Sequence, residues 1–182
     1  MMNRQLLTAE EFMQQDDLEA PVELLRGVVS DLPFPFPRHG QVCATVGCEL
    51  ANHVFERSLG YILSNHTCIL TARNPDTVRC CDICYISRIK VPSVKLTGYF
   101  LPAPPDVIVE VLSPEELWPE VESKVVDFLQ AGVTVVCVVD PTTETARIYR
   151  NDRDEEQLKN GDLVTFDDVL PGFSVPLKQL FE

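Results

Sequence analysis

The stretch from residue 105 to residue 140, PDVIVEVLSPEELWPEVESKVVDFLQAGVTVVCVVD, constrains the fold most strongly. It begins as a short apolar strand, continues as an amphipathic helix that Gly132 can end, and finishes as a second, continuous apolar run. Such a run is typical of a strand that is covered on both faces. A strand, a helix and a strand in this order favour a right-handed crossover between parallel strands. The pattern predicts an α/β or α+β domain in which helices flank a mixed sheet.

The first strand of this unit carries acids within its most apolar part. Because side chains alternate along a strand, Asp106 and Glu110 share one face with Ile108 and Leu112. An unpaired buried carboxylate is costly, so it protonates, pairs with a cation or binds a metal. The two acids therefore require an explanation that goes beyond packing.

Asp82 is another acid in an apolar row, within the segment VRCCDICYI. If this segment is a strand beside that of Glu110, then Asp82, Glu110 and Asp106 form a carboxylate cluster that a divalent cation can neutralise. Carboxylate oxygens favour Mg²⁺ or Mn²⁺. The alternative is that Asp82 ends its strand in a polar turn and that Glu110 forms a structural salt bridge.

Lys124 lies at the edge of the apolar stripe of the crossover helix. At about 100° per residue it stands beside Leu117, Val121 and Phe128, which must face the sheet. It should therefore point toward the strand that carries Glu110. The alternative is a lysine whose stem packs on apolar surface while its ammonium group reaches water.

The seven cysteines do not indicate a metal site or a disulfide framework. Their number is odd and their neighbours are apolar, so we expect free thiols that act as small hydrophobic residues. Cys81 and Cys84 have CxxC spacing, but they would face opposite ways on a strand and no second pair accompanies them, which argues against zinc. Of the three histidines, only His39 is a candidate for a functional role.

Two more helices and several strands are predicted outside the crossover. A capping box at Thr8 predicts a short helix over residues 9–18. Apolar side chains at every fourth position from Val42 to Val54 predict a long amphipathic helix. Ser113 is expected to cap the crossover helix. The predicted strands are two short ones within residues 22–31, then residues 61–70 and 77–87, and a C-terminal β-meander of residues 145–150, 155–159 and 162–166 with a hairpin turn at KNGD.

The composition is that of a globular protein with one domain over residues 1–182. No run approaches the roughly 20 apolar residues of a membrane span. The N-terminal residues lack the uninterrupted apolar core of a signal peptide. We therefore expect a cytoplasmic protein that does not act at a membrane.

The charge of the chain argues against a nonspecific DNA coat. Its formal net charge is −13, which on average repels nucleic acid. Basic residues nevertheless outnumber acids within residues 73–95, and this stretch is the candidate surface for DNA. Its basic residues are Arg73, Arg79, Arg88, Lys90 and Lys95, against Asp76 and Asp82.

Seven segments of the chain resemble the Uma-two family in their order and spacing. They are VELLRG, PRHGQV, TVRCCDICYIS, GYFLPAPPDVIVEVLSPEE, VESKVVDFLQAGVTVVCVVDP, ARIYR and LPGFSVPLKQLF. This is a bacterial family of predicted endonucleases within the PD-(D/E)xK superfamily, and the resemblance runs over nearly the whole chain. It implies a restriction-endonuclease-like core and a Mg²⁺-dependent or Mn²⁺-dependent endonuclease that acts on DNA.

The resemblance also implies roles for individual residues. Asp82 matches the acid of the family's PD strand, Glu110 matches the acid of the (D/E)xK strand, and Glu23 matches the glutamate of the opening ELIDGE segment. Asp82 and Glu110, with the backbone carbonyl of Val111, are expected to hold the metal. Lys124 is expected to position the attacking hydroxide or to offset developing charge. Glu23 is expected to orient a water at the metal or to bind a second ion.

The chain departs from the family pattern at several positions. Leu112 stands where the superfamily motif has lysine, and in this family a helix lysine that matches Lys124 replaces it. Cys81 replaces the proline of the PD strand, Arg26 replaces an aspartate, and Phe128 replaces a tyrosine. Two hypotheses therefore stand: an active endonuclease, or a non-catalytic binding or assembly module that keeps the nuclease fold. A second copy of the chain, forming a homodimer, is retained as a candidate partner.

Overall fold

The structure is a computed structural model that describes residues 6–15, 21–92 and 98–182. Its elements run in the order helix, two strands, helix, three strands, helix and five strands. The helices are α1 (Ala9–Met13), α2 (Pro37–Glu56) and α3 (Trp118–Gln130), with a 3₁₀ helix at Leu177–Phe181. The strands are β1 (Val22–Leu25), β2 (Val28–Asp31), β3 (Gly60–Ala72), β4 (Thr77–Ser87), β5 (Val107–Val111), β6 (Val135–Asp140), β7 (Thr145–Tyr149), β8 (Glu156–Leu158), β9 (Leu163–Thr165) and β10 (Ser174–Pro176).

Eight strands form one mixed sheet. Their order is β2-β1-β4-β5-β6-β7-β8, and β3 pairs with β4. The β5–β6 pair is parallel, and the other pairs of this sheet are antiparallel. The helix α3 connects β5 to β6, which is the predicted crossover. The expected α/β class, with a mixed sheet between helices, is confirmed.

Helices cover both faces of the centre of the sheet. The buried residues of α2 join the cluster that contains Val107, Val109 and Val111. The buried residues of α3 join the cluster that contains Ile108 on the opposite face. Burial on both faces explains why β5 and β6 are almost entirely apolar. Among the described residues, no helix is both long and apolar enough to cross a membrane.

The strand β4 has one continuous neighbour and two partial ones. It pairs with β3 along its whole length. On its other edge it pairs with β1 only at Val78 and with β5 only at residues 83–85. Residues 79–82 therefore face a gap between β1 and β5, where the sheet ladder is interrupted.

Two helix boundaries differ from the predictions. α1 ends at Met13, and residues 16–18 of its predicted span lie outside the described residues. α3 begins at Trp118, so Ser113 is not its cap. Instead, the Ser113 N–H donates to Glu116 Oε2 at 2.7 Å, which closes a separate tight turn before the helix.

The C-terminal strands divide between two sheets. β6, β7 and β8 form the meander, but β9 pairs with β10 in a separate two-stranded sheet. The predicted hairpin at KNGD is therefore wrong. The β9–β10 pairing buries Val164 and Val175 in the cluster under α2, and this burial of apolar surface favours it over an exposed hairpin with β8.

Two of the predictions about cysteines are also wrong. The structure joins Cys68 to Cys80 in a disulfide, and the two residues are direct partners in the β3–β4 register. Cys81 and Cys84 are free, but both lie in the cluster under α3 instead of facing opposite ways. The reason is a bulge in β3 opposite Asp82, where regular alternation breaks down.

The close packing at the start of β3 generates a stability prediction. A Cβ atom at Gly60 would press on the carbonyl oxygen of Ile86 and lie 2.9 Å from the Cα of Ser87, so Gly60→Ala should lower the free energy of unfolding by about 1–3 kcal/mol. Gly47 in α2 has nothing within 4 Å of that position, so Gly47→Ala should raise it by roughly 0.5–1 kcal/mol. Urea unfolding measures both, and a stabilised Gly60→Ala variant would contradict the packing.

Candidate active site

A cleft of about 690 Å³ opens beside the gap between β1 and β5. Its walls come from the proline-rich segment before α2, the first turns of α2, the bulge of β3, the middle of β4, the end of β5 and the turn before α3. Its acidic lining residues are Asp82, Glu110 and Glu116, and its basic ones are His39, His66 and Lys124. Most of the residues predicted for the site therefore meet in one cavity.

Lys124 is buried against the sheet beside two glutamates. Its Nζ donates to Glu110 Oε2 at 2.7 Å and lies 3.5 Å from Glu23 Oε1. Only 13% of its side chain is exposed, so the predicted orientation toward β5 is confirmed and the water-reaching alternative is wrong. Burial opposes the charge, but Glu110, Glu23 and Asp82 together raise the pKa of Lys124 above its ordinary value. The ammonium group therefore stays charged.

Glu23 lies behind Lys124 and is not among the residues that line the cleft. Its Oε2 accepts from Arg79 at 2.7 Å, and its Oε1 accepts from the Cys80 N–H at 2.9 Å. Arg79 also donates to Asp127 Oδ2 at 2.8 Å. Both oxygens of Glu23 are thus engaged by the protein, and the network ties β1 and β4 to α3. This geometry suits a positioning role better than the predicted contact with a second ion.

Asp82 faces the cleft because β3 bulges away from it. Asn65 and His66 of the bulge have φ angles of 65° and 62°, and neither pairs with β4. Asp82 Oδ2 instead accepts from the Val111 N–H at 2.8 Å and lies 3.3 Å from His39 Nε2. The side chain of Asp82 thereby bridges β4, β5 and α2.

The two central carboxylates of the cleft have opposite pKa shifts. Burial raises the pKa of Glu110 to about 8; the charge of Lys124 opposes this shift, and the charge of Asp82 adds to it. Burial also opposes the ionisation of Asp82, but His39, Lys124 and the Val111 N–H lower the pKa of Asp82 below its ordinary value. The metal-free cleft therefore holds one ionised carboxylate and one that keeps a proton near neutral pH.

Glu110 offers an oxygen atom that no group of the described residues binds. Its Oε2 accepts from Lys124, while its buried Oε1 has no hydrogen-bond partner. A buried acceptor in this state is costly unless a proton or a cation satisfies it. Asp82 and the backbone of Val111 line the same cleft. This set of oxygen donors fits Mg²⁺ or Mn²⁺.

Asp106 does not join the cluster, so the expected group of three strand acids is wrong for that residue. Asp106 Oδ2 accepts from the Ser87 N–H at 2.7 Å, and Oδ1 lies 3.1 Å from Lys90 Nζ. Because β4 and β5 are antiparallel, Asp106 lies beside the end of β4, while Asp82 lies beside the end of β5. Asp106 is therefore a structural anchor at the far end of the strand pair.

The basic stretch of residues 73–95 does not form the open basic surface that was expected. Lys95 lies outside the described residues. Of the other four basic residues, Arg88 stacks over the ring of Tyr61, 5.3 Å from its centroid. The remaining three are neutralised by acids within the protein. These pairs are Arg73 with Glu10 and Asp76, Arg79 with Glu23 and Asp127, and Lys90 with Asp106.

The sequence predictions missed two residues of the cleft, Cys43 and Glu116, and named a third, His39, only as a candidate for a functional role. Cys43 lies one helical turn after His39, with its Sγ 3.6 Å from His39 Nδ1, and this i,i+4 spacing was the available signal. Glu116, three residues after the expected cap Ser113, was given no role in the site, yet it lines the cleft, and burial raises its pKa. Pro37 starts α2 and places His39 in its first turn, opposite Asp82.

Comparison with known proteins identifies a family and a similar fold. The Uma2 family model, described as "Putative restriction endonuclease", matches residues 9–178. A crystal structure of "a putative nuclease belonging to DUF820 from Anabaena variabilis ATCC 29413" has a TM-score of 0.84, with 19% identity, over 96% of this chain and 97% of that chain. No curated protein matches the chain. The predicted family and the predicted nuclease fold are confirmed.

The raised pKa of Glu110 predicts how the stability of the metal-free protein depends on pH. Between about pH 5 and pH 8 the folded state keeps a proton that the unfolded chain, with its ordinary pKa of 4.5, has released. The free energy of unfolding should therefore fall as the pH rises through this window. Glu110→Gln cannot titrate, so its fall should be shallower.

Urea unfolding in EDTA at several pH values measures the difference between the wild type and Glu110→Gln. Asp82→Asn is the matched control. Because the pKa of Asp82 is lowered, the stability that its ionised carboxylate contributes is lost only in acid, as the pH falls below the ordinary Asp value of 3.8. Parallel curves for the wild type and Glu110→Gln between pH 5 and pH 8 would contradict the prediction.

Proposed function

This chain belongs to the Uma2 family, and we propose that it is an endonuclease that hydrolyses DNA phosphodiester bonds with the aid of Mg²⁺ or Mn²⁺. The family and the fold support a nuclease-like function. The observation that carries the finer proposal is the meeting of Asp82, Glu110 and Lys124 in one cleft, where a buried oxygen of Glu110 has no hydrogen-bond partner among the described residues. Packing alone does not require this arrangement.

Asp82, Glu110 and the backbone carbonyl of Val111 are the groups that would hold the cation. When it is bound, the cation supplies a water of lowered pKa and polarises the scissile phosphate. Asp82 is ionised beforehand and is held by the Val111 N–H, so its position does not depend on the ion. Glu110 releases its proton to become a ligand, and Lys124 leaves its Oε1 available for that purpose.

Lys124 supplies a fixed positive charge at the wall of the cleft. As a water oxygen adds to phosphorus and a phosphorus–oxygen ester bond breaks, negative charge builds up on the phosphate oxygens, and an adjacent ammonium group stabilises it. Glu23 and Arg79 lie behind Lys124 and fix the position of its side chain beside β5. We assign to Glu23 this positioning role.

Phosphate binding on this protein has to be local, because its net charge of −13 repels DNA as a whole. The cation and Lys124 are then the main phosphate contacts. The proline-rich segment that lines the cleft carries two exposed rings: Phe36, which lines the cleft, and Phe34, which stands between the lining residues Pro33 and Pro35 in the sequence. Their exposed fractions are 41% and 66%, and exposed aromatic rings of this kind can stack on unpaired bases.

The second candidate function is a non-catalytic binding or assembly module. The buried hydrogen bond from Lys124 to Glu110 favours it, because such a contact can serve architecture alone. The departures from the family pattern do not favour it, since Arg26, Cys81 and Phe128 are not among the residues that line the cleft. The groups expected to carry the chemistry are therefore intact.

Cleavage of supercoiled plasmid tests the proposal directly. We expect nicked and linear products with Mg²⁺ or Mn²⁺ and none with EDTA. Asp82→Ala should lower the rate by about a hundredfold or more, since it removes a ligand for the cation. Asp106→Asn, at the far end of β5, is the matched acid control. Equal cleavage by the wild type and Asp82→Ala would reject the site, and no cleavage by either would favour the non-catalytic module.

Substitution of Lys124 should separate metal binding from turnover. In Lys124→Met, cleavage should fall by about a hundredfold or more, because the charge that stabilises the phosphate is gone. Mn²⁺ affinity should change much less than cleavage does, because the variant keeps the carboxylates of Asp82 and Glu110 and loses a positive charge that repels the cation. Calorimetric titration and cleavage rates measure the two effects, with Lys178→Met as an exposed lysine control. Full cleavage by Lys124→Met would remove Lys124 from the mechanism.

A further inference from the structure

Building on the proposed function, we infer that His39 is a third side-chain ligand of the cation and gives the site a preference for Mn²⁺ over Mg²⁺. The sequence resemblance assigned metal binding only to Asp82, Glu110 and Val111. The structure adds a histidine from a different element, α2, on the same cleft wall as Asp82.

The spacing of His39 and Asp82 fits two neighbouring ligands of one ion. His39 Nε2 lies 3.3 Å from Asp82 Oδ2. Ligand atoms at about 2.1 Å from an octahedral ion, on adjacent corners, are about 3 Å apart. The ligand atoms of His39, Asp82 and Cys43 all lie within 4.8 Å of one another. A small cation can therefore bridge His39 and Asp82 without a large movement of either side chain.

The surroundings of His39 leave it suited to bind an ion. Its side chain is 13% exposed, and its hydrogen-bond partners among the described residues are only Asp82 and the Cys43 thiol. No backbone carbonyl of the described residues fixes the ring, in contrast to His53 and His66, whose Nε2 atoms lie 3.2 Å from the carbonyl oxygens of Pro171 and Val22.

Glu110 provides the independent observation that the cleft accommodates a cation. Only 7% of its side chain is exposed, and Oε1 is buried and has no partner among the described residues. Glu110 lines the cleft together with His39 and Asp82. The three side chains line the same cleft and offer it one imidazole nitrogen and carboxylate oxygens.

The donor set determines which ions the cleft prefers. Mg²⁺ binds oxygen ligands and keeps several waters. Mn²⁺ also favours oxygen ligands, but as a first-row transition metal at the weak end of the Mn²⁺ to Cu²⁺ affinity series it gains more from an imidazole nitrogen than Mg²⁺ does. A cleft with Asp82 and Glu110 alone would discriminate little between Mg²⁺ and Mn²⁺. Adding His39 raises the affinity for Mn²⁺ without a matching gain for Mg²⁺.

Cys43 is not part of the proposed ligand set. Its side chain packs against the cluster under α2, and burial raises the pKa of its thiol, so the thiolate form is disfavoured. A thiol is also a poor ligand for Mn²⁺, because soft sulfur ligands select Cu(I) and Zn²⁺ whereas Mn²⁺ prefers harder donors. Cys43→Ala is therefore a matched control, because it alters the same helix face one turn from His39.

Pulsed electron paramagnetic resonance of Mn²⁺ bound to the full chain tests the assignment. A directly bound imidazole nitrogen gives ¹⁴N modulation of the Mn²⁺ electron spin echo. We expect this modulation in the wild type and in Cys43→Ala, and its loss in His39→Gln, whose amide can still donate a hydrogen bond to Asp82. Calorimetry should show Mn²⁺ binding about tenfold weaker in His39→Gln, and a smaller change for Mg²⁺.

Plasmid cleavage by the same samples separates this inference from the proposed function. If Mn²⁺ binds and supports cleavage without ¹⁴N modulation, or if His39→Gln keeps the modulation, the ligand assignment is wrong and the nuclease stands. If the modulation is present without cleavage, His39 is a ligand and the nuclease proposal is wrong. If the wild type binds no Mn²⁺, both are wrong. An unchanged Mn²⁺ to Mg²⁺ affinity ratio in His39→Gln overturns the claimed preference.

Discussion

The buried charge of Lys124 is the constraint on which the rest of the structure depends. An isolated ammonium group at such depth would cost several kcal/mol, so the fold has to place carboxylates around it. Glu110 comes from β5, Glu23 from β1 and Lys124 from α3, so one ion cluster fixes how three elements meet. Removing any member leaves another buried charge unmatched. The position of the cleft and the packing of α3 are therefore set by the same contacts.

The interruption of the sheet beside β4 turns this architecture into a site. Where β1 and β5 part, backbone N–H groups lose their strand partners, and buried N–H groups need acceptors. Glu23 accepts from the Cys80 N–H, and Asp82 accepts from the Val111 N–H. Both carboxylates are thus required by the broken ladder, and Asp82 also faces the cleft, which explains why acids stand in such apolar strands.

The parts of the site that could be predicted from the sequence are those encoded within one element. Alternation along β5 indicates that Glu110 is buried, and the helical wheel indicates that Lys124 faces it. Asp106 and Arg79 were misplaced because pairing between elements decides their surroundings. The antiparallel register carries Asp106 to the far end of β5, and acids from β1 and α3 bury Arg79. A count of charges along the chain shows neither the register of β5 nor the acids that pair with Arg79. It also does not show the contact of His39 with β4.

The charge of the cleft means that, under the proposed function, the cation and DNA cannot bind independently. Asp82 is ionised in the metal-free cleft, so a phosphate that enters it meets the like charge of Asp82 and of a protein whose net charge is −13. A cation between Asp82 and Glu110 reverses the local sign, and it must first displace the proton that burial keeps on Glu110 near neutral pH. Coupling between two ligands is reciprocal, so a phosphate that binds more tightly to the cation-loaded cleft also raises the affinity of the cleft for the cation. Without substrate, protonation of Glu110 satisfies the same buried carboxyl group, and the cluster around Lys124 keeps the cleft intact.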